Sequence, residues 1–203
     1  VGHREELLAG AQECLHDKGW GRTSARDVVA ASGTNLASIG YHFGSKDALL
    51  AAALVASTAE CAEAVDRALT DDPPLDPPAD DVSALPAGDP LDRFERTWER
   101  VVERVARDER MTTATVEALA QAPRVPQVRS ALAAAADLTR EDLALTFHAA
   151  GDDDERTRVL GAFYQSLLIG TLVQWAVDPA GAPSGHDLAE ALRMIVADST
   201  ENT

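Results

Sequence analysis

The sequence predicts an all-α protein in two parts, and three observations carry that reading. Of its 203 residues 45% are hydrophobic but only 4% aromatic, a balance that favours closely packed helices over sheet. Apolar residues recur at spacings of three and four through most of the chain. No segment alternates as a half-buried strand would. Nine helices are predicted, with a small N-terminal head over residues 1–46 and a larger helical domain over residues 47–203.

The first helix reads from about Arg4 to Lys18, with Leu7, Leu8, Ala11 and Leu15 on one face and Gly19 as its stop. Ser24-Ala25-Arg26-Asp27 announces the second. Its Ser24 hydroxyl and Asp27 carboxylate, three residues apart, are placed to satisfy free amides at a helix start. Val28 and Val29 turn inward, and Ser32-Gly33 closes the helix. A short third helix spans Asn35 to Phe43, and Ser45 caps a fourth that runs through Leu49, Leu50, Ala53 and Leu54 to about Leu69.

Residues 71–92 break the pattern, gathering six of the ten prolines and seven acidic residues with no Lys or Arg. Such a stretch buries too little apolar surface to offset its ordering entropy, so a mobile loop is expected, with mimicry of DNA's charge as the alternative role. Periodicity resumes with Leu91, Phe94, Trp98, Val101, Val102 and Val105 on one face. Arg93, Arg96, Glu99, Arg100, Glu103, Arg104 and Arg107 occupy the other. The interleaved glutamates favour a solvated surface over a nucleic-acid contact for that basic face. Further helices follow over about Met111–Ala122, Val125–Ala149, Asp154–Val177 and Ser184–Ala197.

The net charge of −16 argues against a nucleic-acid binder until its distribution is examined. Residues 1–50 carry five basic and six acidic side chains, whereas residues 51–203 carry thirteen and twenty-eight. The acidity lies almost wholly outside the head, which leaves room for a local contact with DNA. No run of eighteen uncharged apolar residues occurs, and the opening Val1-Gly2-His3-Arg4-Glu5-Glu6 lacks the pattern of a secretory leader. Cys14 and Cys61 lack ligand-spaced partners and read as packed thiols. A soluble, reducing, cytoplasmic setting without membrane contact, cofactor or metal is expected.

Two helices joined by a turn at Gly33-Thr34 form a helix-turn-helix over residues 24–43, whose second helix is shaped for the major groove. With Ile39, Phe43 and part of Leu36 inward, the spacing turns Asn35, Ala37, Ser38, Tyr41 and His42 outward. Asn and Ser suit base edges, while Tyr and His reach phosphates. Lys46 adds a separate signal: a cation in the first turn opposes the helix dipole unless an anion sits there, so Lys46 with the amides after Ser45 suits a phosphate.

Over residues 4–54 the chain resembles the DNA-binding head of the TetR family of bacterial transcriptional regulators. The likeness rests on Thr23-Ser24-Ala25-Arg26-Asp27-Val28, on Ala31-Ser32-Gly33 at the turn, and on Ile39-Gly40-Tyr41-His42-Phe43-Gly44-Ser45-Lys46-Asp47-Ala48-Leu49. It implies a homodimer, double-stranded operator DNA as partner, and a small-molecule pocket in the C-terminal domain. DNA contacts are expected from Thr23, Ser24, Arg26, Asn35, Ala37, Ser38, Tyr41, His42 and Lys46. Gly40 departs from the pattern, since family members usually carry an aromatic there, and that residue's role is not transferred.

The resemblance places the last two helices in a four-helix dimer interface, where Ala162, Ser166 and Gly170 form a small-residue stripe and Leu188, Leu192 and Ile195 an apolar one. It places the effector pocket around Trp98, Met111, Phe147, His148, Gln165 and Trp175. The expected function is repression relieved by an effector of unknown identity. A relative that has weakened DNA binding and acts through protein partners is the alternative. An enzyme would need a nucleophile with its base, a phosphate-cradling loop or metal-spaced ligands, and the five histidines are dispersed. No catalytic residue is assigned.

Overall fold

A computed structural model describes residues 2–70, 90–147 and 154–201. Among them the chain is all-helical: α1 (His3–Lys18), a 3₁₀ turn (Trp20–Arg22), α2 (Ala25–Ser32), α3 (Leu36–Phe43), α4 (Lys46–Thr70), α5 (Pro90–Val101), a π turn (Val102–Ala106), α6 (Glu109–Gln121), α7 (Pro126–Phe147), α8 (Asp154–Val177) and α9 (Gly185–Glu201). Nine α-helices therefore stand among the described residues. The expected loop over 71–92 lies outside them up to residue 89. Its last three residues instead open α5, where Pro90 takes the first helical position, at which its missing N–H costs nothing.

The helices group into two compact units: Val1–Ala62 with Glu109–Asp137, and Glu63–Asp108 with Leu138–Thr203. In the first unit Leu7, Ala11 and Leu15 of α1 meet Val28 of α2, Ile39 of α3, Leu49, Leu50, Ala53 and Leu54 of α4, Ala118 of α6 and Val128 of α7. Cys14 joins this core as a packed thiol, its pKa raised by burial. Where α1 crosses α2, a Cβ on Gly10 would lie 2.8 Å from Ser32 Cβ and 2.9 Å from its amide nitrogen, so the two backbones meet directly.

In the second unit four rings form the centre. Phe94 and Trp98 stack at 5.4 Å, one helical turn apart on α5, and Phe147 and Tyr164 close over them from α7 and α8. Arg193 of α9 bridges Asp92 (2.9 Å) and Glu95 (3.0 Å) of α5, and His186 Nδ1 lies 2.7 Å from Glu95. Hydrogen bonds from these two side chains, His186 first, hold the Glu95 carboxyl below its ordinary range.

By length and hydropathy alone α4 and α8 are apolar enough to cross a membrane, although neither holds eighteen apolar residues without a polar interruption. Yet α4 buries Leu49, Leu50, Ala53, Leu54, Val65 and Leu69 against other helices, as the core helix of a packed protein does.

Candidate nucleic-acid interface

The geometry of the head starts at Ser24. Its hydroxyl accepts from the Asp27 amide (3.2 Å), while the Asp27 carboxylate accepts from the Ser24 amide (2.8 Å), so each caps the other. Lys18 at the end of α1 reaches the same carboxylate at 2.5 Å. Together, Lys18 foremost, these donors pull the Asp27 pKa far below its ordinary 3.8. Gly33 then ends α2 at φ +66°, a left-handed conformation that glycine adopts without steric cost. Asn35 restarts the chain, its Oδ1 accepting from the Ser38 amide at 3.1 Å.

A depressed carboxylate stabilises the folded head above the ordinary pKa and loses that effect as pH falls. The stability gap between wild type and Asp27→Asn should therefore be constant above about pH 5 and shrink as pH falls through and below the ordinary carboxylate range. Thermal melts across that range would measure it, and a gap unchanged at low pH would reject the capping role. Ser24→Ala should cost about 1 kcal/mol at neutral pH.

On α3 the structure corrects the predicted outward face. Ser38, Ile39, His42 and Phe43 form the inward arc, and Leu36, Ala37, Gly40 and Tyr41 the outward one. At 100° per residue this is a rotation of roughly one-sixth of a turn from the expected placement. Ser38 is only 9% exposed and His42 half-buried, whereas Leu36 is 52% and Tyr41 86% exposed. The reason is packing: Ile39 is buried against the α1 core, and its neighbour Ser38 fits beside it because a hydroxymethyl is small.

Thr23 is the second correction. At 2% exposure it is sealed inside, its hydroxyl 2.8 Å from the Gly19 carbonyl and 3.1 Å from that of Cys14. It ties down the end of α1 and offers no side chain to DNA. Lys46 is half-buried and donates to the Thr23 carbonyl (3.1 Å), with Asp47 at 3.3 Å, so its ammonium tethers the start of α4 to the loop before α2. Ser24, Arg26, Asn35 and Ala37 remain exposed. A residue that the sequence reading passed over, Arg4, stands with its guanidinium 5.3 Å over the Phe43 ring at the end of α3. Its only sequence signal is basic charge at the first turn of α1.

Of the residues assigned to the effector pocket, Met111 belongs to the first unit and Trp98, Phe147, Gln165 and Trp175 to the second. His148 lies outside the described residues. Trp98 is fully buried in the ring cluster, and its Nε1 finds no hydrogen-bond partner among the described residues. Gln165 accepts from Arg140. The cleft present in the second unit is lined by other residues, Ala68, Arg100, Glu103, Arg104, Arg107 and Asp108.

On α8 the assigned Ala162 and Gly170 are half-buried and Ser166 exposed. They sit within a longer stripe that the sequence reading did not extract: Val159, Phe163, Val173 and Val177 are exposed at spacings that continue it. On α9 Leu188 and Leu192 are half-buried, and Ile195 is exposed beside Met194 and Val196.

A capped helix-turn-helix with an uncovered second helix is the arrangement with which helical DNA-binding heads enter a major groove. Residues 7–53 match the family model for bacterial regulatory proteins of the tetR family. No curated protein sequence matches it. Among solved structures, a transcriptional regulator from Rhodococcus sp. Rha1 is similar at 16% identity and TM-score 0.68, with 96% of each chain covered. One from Streptomyces coelicolor A3(2) is similar at 22% identity and TM-score 0.66, covering 95% of this chain and 97% of that one. A regulator from Saccharomonospora viridis in complex with choline is similar at 18% identity and TM-score 0.64, covering 96% and 95%. These are likenesses of fold.

Proposed function

We propose that the chain is a cytoplasmic, homodimeric repressor that holds a palindromic operator with two copies of α3 and leaves it when a small molecule binds the C-terminal domain. The observation that carries the DNA-binding half is the outer face of α3. Ala37, Gly40 and Tyr41 are exposed there, and a Cβ on Gly40 would meet nothing within 4 Å. A helix seated on its inner side and bare on its outer side suits a groove. The apolar stripes of α8 and α9 support the dimer, because a contiguous exposed apolar patch marks an interaction surface. The effector half is supported by the choline complex of the Saccharomonospora relative, which shows that a protein of this fold holds a small molecule.

Selection from random-sequence duplex with the full-length protein tests the reading. Enriched sites should be palindromes with half-sites about one helical turn, or a multiple of it, apart. Their affinity should fall steeply with salt. Enrichment of no palindrome would reject operator binding and leave a regulator working through protein partners.

A further inference from the structure

The cleft of the second unit has a volume of about 570 Å³, within the range of small-molecule sites, and the π turn runs along it. We propose that this cleft is the effector site and that it takes a small organic oxyanion, a carboxylate or a phosphate. The proposal names the ligand class of the effector reading above and rests on that reading for its regulatory part.

Three guanidinium groups and two carboxylates line the cleft, a positive balance in a chain of net charge −16. Arg100 is half-buried and oriented, its Nε donating to the Ala68 carbonyl (3.4 Å) and its Nη2 to the Thr97 hydroxyl (3.3 Å). Arg107 lies 5.9 Å over the Trp175 ring and reaches Glu103 at 3.2 Å. That ion pair is exposed at both ends, so an incoming anion competes with it at little cost. Arg104 stands between the two and makes no hydrogen bond or ion pair with a described residue.

Like charges three and four residues apart on a helix repel. Arg104 and Arg107 have that spacing, and an anion beside them would offset the repulsion that the Glu103–Arg107 pair leaves. A guanidinium fork matches the paired oxygens of a carboxylate or phosphate, and a hydrogen bond between charged groups is stronger than a neutral one. The backbone marks the same place. Between Val102 and Ala106 the helix widens, so that the Arg107 amide donates to the Val102 carbonyl (3.3 Å), and such turns concentrate at functional sites.

Calorimetry on the full-length protein at constant ionic strength tests this with inorganic pyrophosphate and benzoate as anionic probes and choline as the cationic one. At least one anion should bind saturably and choline should not. A response to pyrophosphate alone assigns a phosphate ligand, and one to benzoate alone a carboxylate. Arg104→Ala and Arg107→Ala should each weaken the anion at least tenfold, while Arg96→Ala, an exposed arginine outside the cleft, should match wild type. Circular dichroism confirms that each variant is folded. Gel shifts on the selected operator should show at least tenfold weaker DNA binding when the anion is bound. No saturable binding of either anion, an unchanged Arg104→Ala affinity, or an equal loss in Arg96→Ala overturns the site. Binding that leaves operator affinity unchanged overturns its effector role. A protein that selects no operator refutes the regulator reading, and calorimetry still decides the cleft.

Discussion

Replacing Gly170 by arginine is expected to yield a folded monomer whose operator affinity falls by about 100-fold or more. Gly170 sits in the exposed stripe of α8, and a Cβ added there meets nothing within 4 Å of its own chain. The substitution therefore places a long cation on the proposed two-fold contact without crowding the unit that carries it. A self-complementary interface meets the change from both sides at once. Two heads that no longer share one body lose the effective concentration that tethering supplies, which is worth about 10²–10⁴ in binding. Light scattering after size exclusion would report the mass, and gel shift the affinity. A variant that remains dimeric would reject the α8 assignment.

Gly161→Ala should act on the fold instead. A Cβ at this position would lie 2.4 Å from the Arg140 carbonyl oxygen and 2.9 Å from its carbon, so α7 and α8 must part to admit a methyl group. Backbone cannot rotate aside as a side chain does. The expected cost is about 3 kcal/mol, at the upper end for overpacking. That corresponds to about 6–12 °C in the melting midpoint of a chain this long. Gly170→Ala, two and a half turns further along α8, supplies the control, since the added methyl enters open space and alanine favours helix. Equal midpoints for the two alanine variants would show that the close approach of α7 and α8 carries no energetic weight.

What the sequence revealed follows the range of the forces involved. Local devices were legible: the Ser24–Asp27 cap, the Gly33 stop and the start of α4 at Ser45 all depend on neighbours within three residues. The facing of α3 was not. In eight residues Leu36, Ile39 and Phe43 fit two rotations of the helix, and only the walls supplied by α1 and α2 choose between them. Thr23 was hidden for a similar reason, because the carbonyls it satisfies come from Gly19 and from Cys14 a helix away. Phe94 and Trp98 share a face by spacing, but Phe147 and Tyr164 reach them only through tertiary packing. The arginine stripe was visible as charge, yet nothing local told which arginines share a cleft. The π turn has no sequence signal at all in Val102–Ala106.

The outer surface of α3 also sets how much disorder is lost when it docks. Ala37, Gly40 and Gly44 lie along its middle, flanked by Leu36 and Tyr41. Alanine and glycine have no side-chain rotamers to freeze, so almost all the conformational entropy given up on this face belongs to the two flanking residues. A face of this kind arrives already ordered. Its fit to a partner is set by the shape of the backbone, with the exposed Tyr41 ring, held edge-on to His42, at its border.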